Sequence, residues 1–256
     1  MKLNFKKVGD GNKTVLILHG LFGSLDNWMT HARLLSDHDY TVYLIDQRNH
    51  GRSPHDPIFD YKSRASDLNE FIEDHHISDP YLIGHSMGGK TVMEFVVNYS
   101  VSIKKMIVVD IAPKAYPPHH EEIIKAFRSV NINSIAKRSE AQEAMGSIIS
   151  DLGVMQFLLK NLDRKKEGGF QWKVNLDVVI ENIENVGNTF DSTLSSSIET
   201  LFIRGGNSNY ILDEDRSLLK KHFPNSNLLT IRDAGHWVHA EQFENFTKVL
   251  IHYLNA

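Results

Sequence analysis

The chain has 256 residues, a formal net charge of −4, 41% hydrophobic content and no cysteine. That length fits one α/β domain, or one domain carrying an insertion, with enough apolar residues to bury a core without staples. The missing cysteines exclude a disulfide scaffold, a thiolate zinc site, an iron–sulfur cluster and a cysteine nucleophile; the mildly acidic balance argues against a nucleic-acid partner, which needs a basic face.

Residues 1–8 turn charged at once and lack the apolar core of a signal peptide. Residues 3–8 read as an edge strand. The longest apolar runs, such as 15–18 and 106–109, are strand-sized and cannot span a bilayer. The expectation is a cytoplasmic protein without a membrane span. Further buried-strand runs lie at 14–18, 42–45, 81–83, 106–109, 201–203 and 228–231. Amphipathic stretches separate them. Within 64–73 the stripe is Ala65, Leu68, Phe71 and Ile72; within 91–99 it is Val92, Phe95, Val96 and Tyr99. Continuous apolar strands alternating with helices predict an α/β fold with a mostly parallel sheet flanked by helices. The rhythm breaks between 113 and 197, where only helical patterns appear, at 121–130, 140–150, 154–162 and 178–186. Residues 165–169 read as a turn. The expected organisation is a core of 1–112 and 198–256 with a helical cap of 113–197 over the sheet's C-terminal edge.

Three segments carry chemistry. Gly84-His85-Ser86-Met87-Gly88-Gly89 lies between the strand at 81–83 and the helix at 91–99. That context suits a nucleophile elbow, in which glycines on both sides allow a turn too tight for a Cβ. The turn would lift the Ser86 hydroxyl clear of the sheet. It would also set the Met87 N–H at a helix N-terminus, aimed at a developing oxyanion. His19-Gly20-Leu21-Phe22-Gly23-Ser24 follows the strand at 14–18 and can supply a second N–H, from Leu21 first and Phe22 next. It lacks the Walker lysine and the dinucleotide glycine spacing. Here His19 reads as a structural hydrogen-bonder. Gly235-His236 follows the strand at 228–231, where a general base for Ser86 would sit. A metal pair of His236 and His239 has no third ligand nearby, so no metal is expected. His75-His76 and His119-His120 read as surface pairs, and His85 as packing beneath the elbow.

Together these segments resemble the α/β-hydrolase superfamily over nearly the whole chain. Asp46-Gln47-Arg48-Asn49-His50-Gly51-Arg52-Ser53 and Val109-Asp110-Ile111-Ala112-Pro113 narrow the resemblance to the YbfF-type bacterial esterases. Arg48 reads as structural, tying neighbouring loop carbonyls. The resemblance implies a serine hydrolase acting on short- to medium-chain acyl esters or thioesters, acyl-CoA included, with no cofactor. Many superfamily members carry the triad acid after the next-to-last strand. In this chain Ser208 and Asn209 stand there, and neither can balance an imidazolium. Asp110, at the end of the strand after the nucleophile strand, is the favoured acid; Asp213 and Asp215 remain alternatives. The expected triad is Ser86, His236 and Asp110. Phe22, His85 and Trp237 are the candidate substrate contacts. Phe127, Phe157, Leu158 and Trp172 are further apolar candidates, and Arg164-Lys165-Lys166 is either a basic mouth for CoA or a solvated charge run. Two other readings share these residues. One is an elimination enzyme resembling the menaquinone-pathway synthase, with Ser86 as base. The other is a non-catalytic ligand receptor on the hydrolase fold. Oligomeric state is not legible.

Overall fold

The computed structural model describes residues 1–118, 120–189 and 193–256. In chain order the strands are β1 (Phe5–Val8), β2 (Lys13–Leu18), β3 (Tyr40–Ile45), β4 (Tyr81–His85), β5 (Lys105–Val109), β6 (Leu162–Arg164), β7 (Phe170–Trp172), β8 (Thr200–Gly205) and β9 (Ser226–Ile231). The helices are α1 (Met29–Ser36), α2 (Tyr61–Asp74), α3 (Met87–Asn98), α4 (Glu121–Ser129), α5 (Arg138–Gly146), α6 (Leu152–Leu159), α7 (Leu176–Glu181), α8 (Ile183–Gly187), α9 (Arg216–His222), α10 (Val238–Glu241) and α11 (Phe243–Asn255). Seven strands form one sheet in the order β1-β3-β2-β4-β5-β8-β9. Only β1 runs antiparallel to its neighbour in that sheet.

Strand alternation divides the core in two. Val15, Ile17, Ile83, Ile107, Val109 and Ile203 face α1 and α11, through Ala32, Leu35, Phe246 and Leu250. Leu16, Leu18, Leu82, Met106, Val108 and Phe202 face α2, α3 and α9, through Leu68, Val92, Phe95 and Leu219. Both faces are covered, so the middles of the central strands, such as 15–18 and 106–109, are apolar at consecutive positions. Progress through the sheet reverses at β2, which pairs β3 on one side and β4 on the other. A crevice forms at the C-terminal ends of strands where such a reversal occurs. The His19 loop leaves β2 there and Ser86 leaves β4 beside it.

The segment between β5 and β8 departs from expectation in two respects. It holds α4 to α8, but also the antiparallel hairpin β6–β7, paired from Leu162–Trp172 to Arg164–Phe170. The hairpin's strands have three residues each, too few to register an alternation. Its turn is the predicted one, closed by Lys165 N–H to Gly169 O at 3.2 Å. The helix expected over 178–186 is interrupted at Asn182 and becomes α7 and α8. A third apolar cluster joins Phe127, Leu158, Leu159 and Val179 of this segment to Leu21, Phe22, Phe59 and Met87. Among the described residues no helix is long and apolar enough to cross a membrane.

One buried group predicts how stability depends on pH. His31 of α1 packs on Trp28, Phe243 and Phe246, and neither ring nitrogen has a hydrogen-bond partner among the described residues. Burial lowers its pKa to about 4. Unfolded histidine titrates near 6.5, so between those values the unfolded chain binds a proton that the folded chain refuses. Stability contributed by neutral His31 is therefore intact above about pH 6.5 and is lost as pH falls towards 4. At about pH 5 the loss from this residue is about 2 kcal/mol. Urea denaturation near pH 7.5 and near pH 5 should show His31→Leu losing about that much less than the wild type on acidification; equal losses would refute the assignment.

Candidate active site

The elbow is built by close approach. A Cβ at Gly84 would collide with the Gly88 carbonyl, and one at Gly88 with the Leu18 carbonyl. With glycine at both positions α3 starts directly against the end of β2. Ser86 between them is forced to φ 52° and ψ −115°. A non-glycine residue there is strained by an amount of order 1–3 kcal/mol. The turn is pinned by Ser86 N–H to Val109 O at 2.9 Å and Lys90 N–H to Ser86 O at 3.0 Å. Met87 opens α3, and its N–H, like that of Leu21, has no acceptor among the described residues. By contrast the Phe22 N–H donates to His50 Nε2 at 3.2 Å. His50 Nδ1 in turn donates to Arg48 O at 3.0 Å, and burial lowers the ring's pKa, keeping it a neutral acceptor. His19 Nε2 accepts from Gln47 N–H, while Gln47 Oε1 accepts from Thr91 Oγ1 of α3 at 2.7 Å. These bonds brace the His19 loop against the elbow helix.

His236 bridges the two other candidates. Ser86 Oγ lies 3.0 Å from its Nε2, and Asp110 Oδ2 lies 2.8 Å from its Nδ1. Asp110 is fully buried, at φ 52°. Its carboxylate also accepts from Gly205 N–H at 3.1 Å and from the Ser208 hydroxyl. With Nδ1–H held by the carboxylate, Nε2 is left as the acceptor for the serine proton. The carbonyl of His236 accepts from His85 Nε2 at 2.9 Å. The Tyr210 ring stacks on the imidazole, with centroids 3.9 Å apart and an interplanar angle of 19°. Asp213 is exposed and pairs with Arg204 and Arg216. Asp215 pairs with Lys114 at 2.6 Å and caps Leu212 N–H. Of the three aspartates weighed, the fold brings only Asp110 to His236.

A family model described as alpha/beta hydrolase fold matches residues 13–130. The esterase YbfF of Escherichia coli (strain K12) is 36% identical over the full length of both chains. The chain belongs to the α/β-hydrolase family. It is an enzyme of the esterase and lipase type. The sn-1-specific diacylglycerol lipase ABHD11 of Danio rerio is also 36% identical, across 96% of this chain and 80% of that one. A solved structure, a marine microorganism esterase, superposes with a TM-score of 0.95 at 40% identity, covering 98% of each chain.

The other residues named in the sequence take different places in this hydrolase. Phe22, His85 and Trp237 line a cavity of about 240 Å³ at Ser86, joined by Phe157, Ile123 and His120. His120 is a correction: it was expected at the surface, yet it touches the cavities beside the serine. Its neighbour His119 lies outside the described residues. Phe127 and Leu158 do not line that cavity; Phe127 is buried between Phe22 and Trp172, each 5.1 Å away by ring centroid. Arg164, Lys165 and Lys166 lie on the β6–β7 hairpin, where Arg164 covers the Phe170 ring, and none of them lines a cavity at Ser86. Arg48 also differs from expectation. Its main partner is the Asp67 carboxylate, at 2.6 and 2.8 Å, and the Ile58 and Ser63 carbonyls are further off at 3.3 and 3.4 Å. His75 is half-buried against Phe5 and Phe71 instead of lying free on the surface. His239 stacks on Trp28, with centroids 4.2 Å apart. Among the described residues no three His, Asp or Glu side chains converge as a metal site would require.

Proposed function

We propose that this hydrolase cleaves carboxylic esters of small neutral molecules through Ser86, His236 and Asp110, by way of an acyl-enzyme. The observation that carries the reading is the unbroken relay from Ser86 Oγ to His236 Nε2 at 3.0 Å and from His236 Nδ1 to Asp110 at 2.8 Å. His236 takes the serine proton as Oγ attacks the ester carbonyl. The N–H groups of Leu21 and Met87 hold the oxyanion, and each is worth roughly 3–4 kcal/mol in the transition state. His236 then returns the proton to the departing alkoxide. Water attacks the acyl-enzyme with His236 again as base; the bond to Ser86 Oγ then breaks as His236 returns that proton to it, and the acid product leaves. Asp110 holds the imidazole tautomer and stabilises its charged form. Every proton and charge in the cycle is handled by these groups, so the reaction needs no metal or organic cofactor. In this reading residues 113–197 act as the cap that roofs the serine.

The cavities at Ser86 narrow the substrate. Among the described residues their linings contain no Lys, Arg, Asp or Glu. Such walls suit a neutral ester. They offer no countercharge to the carboxylates of an anionic elimination substrate. The relatives named as an esterase and a diacylglycerol lipase support the same class. Initial rates on acyl esters from acetyl to palmitoyl, with matched acyl-CoA thioesters and Ser86→Ala as the blank, test the reading. Serine-dependent turnover of esters over thioesters is expected. Rates equal to the blank across the panel would return the elimination and receptor readings.

A further inference from the structure

Ser86 stands where two cavities of very different size meet. The larger, about 240 Å³, is walled by His236, Trp237, Leu21, Phe22 and Phe157. The smaller, about 20 Å³, is walled by Tyr61, Met87, Ile111, Tyr116, Ile183 and Val186, and does not touch His236. The tetrahedral carbon formed on Ser86 carries three further substituents, and each has a required direction. The oxyanion faces the N–H groups of Leu21 and Met87. The leaving oxygen must come within about 3 Å of His236 Nε2, which returns its proton. The alcohol therefore runs into the cavity that His236 and Trp237 wall. The acyl carbon takes the remaining direction, into the cavity that does not touch His236.

The sizes then set selectivity. A space of about 20 Å³ admits only one or two groups the size of a water or a methyl. An apolar cavity of about 150 Å³ already admits a benzene ring, and the alcohol side is larger than that. The small cavity's wall is also firmly held. Tyr61 Oη donates to Val186 O at 2.7 Å, and Tyr116 N–H to Gly187 O at 2.9 Å. Lys90 of α3, itself buried, donates to the carbonyls of Lys114, Gly187 and Asn188. One ammonium thus ties the chain entering the 113–197 segment to the end of α8, directly behind the Tyr61 and Tyr116 rings. We infer that this hydrolase is selective for acetyl and propionyl esters of apolar alcohols, with Ile183 and Val186 setting the acyl limit. The inference rests on the serine-ester reading proposed above.

Two substrate series test it: phenyl esters with acyl chains from acetyl to octanoyl, and acetate esters with alcohols from methyl to hexyl and benzyl. The expected result is a fall in kcat/KM of at least about tenfold between phenyl propionate and phenyl hexanoate, with a rise along the alcohol series. Ile183→Ala and Val186→Ala, made separately, should each raise the hexanoate-to-acetate ratio about fivefold or more. That ratio, measured within one preparation, does not depend on how much of the variant folds. A wild-type preference for hexanoate over acetate at constant alcohol would overturn the inference and place the acyl chain in the larger cavity. So would two variants whose ratios equal the wild type's. Both outcomes leave serine-dependent ester hydrolysis intact, whereas an absence of Ser86-dependent turnover on every ester would overturn the serine-ester reading itself.

Discussion

Ser86→Ala is expected to bring ester turnover below about a thousandth of the wild-type rate while leaving the fold in place. Alanine removes the only atom that can form the acyl-enzyme. On the mechanism proposed above the rest of the machinery survives: the Leu21 and Met87 N–H groups remain to hold the oxyanion, and His236 is still held by Asp110 at 2.8 Å. What remains is water attack assisted by binding and by the oxyanion donors, which in comparable serine enzymes leaves a residual 10³–10⁴-fold over the uncatalysed rate. Stability should change little. The hydroxyl's partner is His236 Nε2, at the wall of an open cavity that water can reach, and the backbone at φ 52° keeps its strain in either residue. A melting temperature within a few degrees of wild type, read beside initial rates on phenyl acetate, separates lost chemistry from lost fold. Activity above about a thousandth of wild type in a folded variant would mean that Ser86 is not the nucleophile.

The fold and part of this site were legible for identifiable reasons. The central strands show in the sequence because a parallel sheet covered on both faces must be apolar at every position, as in Val15 to Leu18 and Met106 to Val109. The elbow shows because two glycines at fixed offsets from a serine are what the collision of α3 with β2 demands. The β6–β7 hairpin does not show, since three residues per strand span a single period. In the sequence Ser208 marks only the place where an acid is missing, and Tyr210 carries no signal at all. Their roles, a hydroxyl on the Asp110 carboxylate and a ring on His236, depend on how the loop after β8 folds back across the sheet edge. His50 stands in the sequence as one residue of the 46–53 motif, with nothing local to show its role. Its acceptance of the Phe22 N–H joins loops 28 residues apart, and no local pattern encodes such a bond. His120 was missed for a similar reason: an irregular segment has no periodicity to reveal which side faces the serine.

Asp110→Asn is expected to lower kcat by about 10⁴, by analogy with triads in which the buried carboxylate becomes an amide. The bonds around Asp110 explain why no orientation of the amide escapes. Its two oxygens accept from three donors: Gly205 N–H on one, Ser208 Oγ and His236 Nδ1 on the other. If the new NH₂ faces His236, Nδ1 must accept and the proton moves to Nε2, which can then no longer take the serine's. If the NH₂ faces Gly205, two donors oppose each other at a fully buried site, at a cost of about 1–3 kcal/mol. Activity therefore falls in the first arrangement and stability in the second. Ser208→Ala removes one donor without altering the tautomer, so it should reduce kcat far less than Asp110→Asn. Asp213→Asn changes an exposed carboxylate paired with Arg204 and Arg216, and should leave the rate within about twofold of wild type. Steady-state rates on these three variants and on Asp215→Asn, with thermal unfolding as the control, decide the assignment. An Asp110→Asn enzyme within about tenfold of wild type, beside an Asp213→Asn or Asp215→Asn enzyme that has lost 10⁴, would move the acid to the loop after β8.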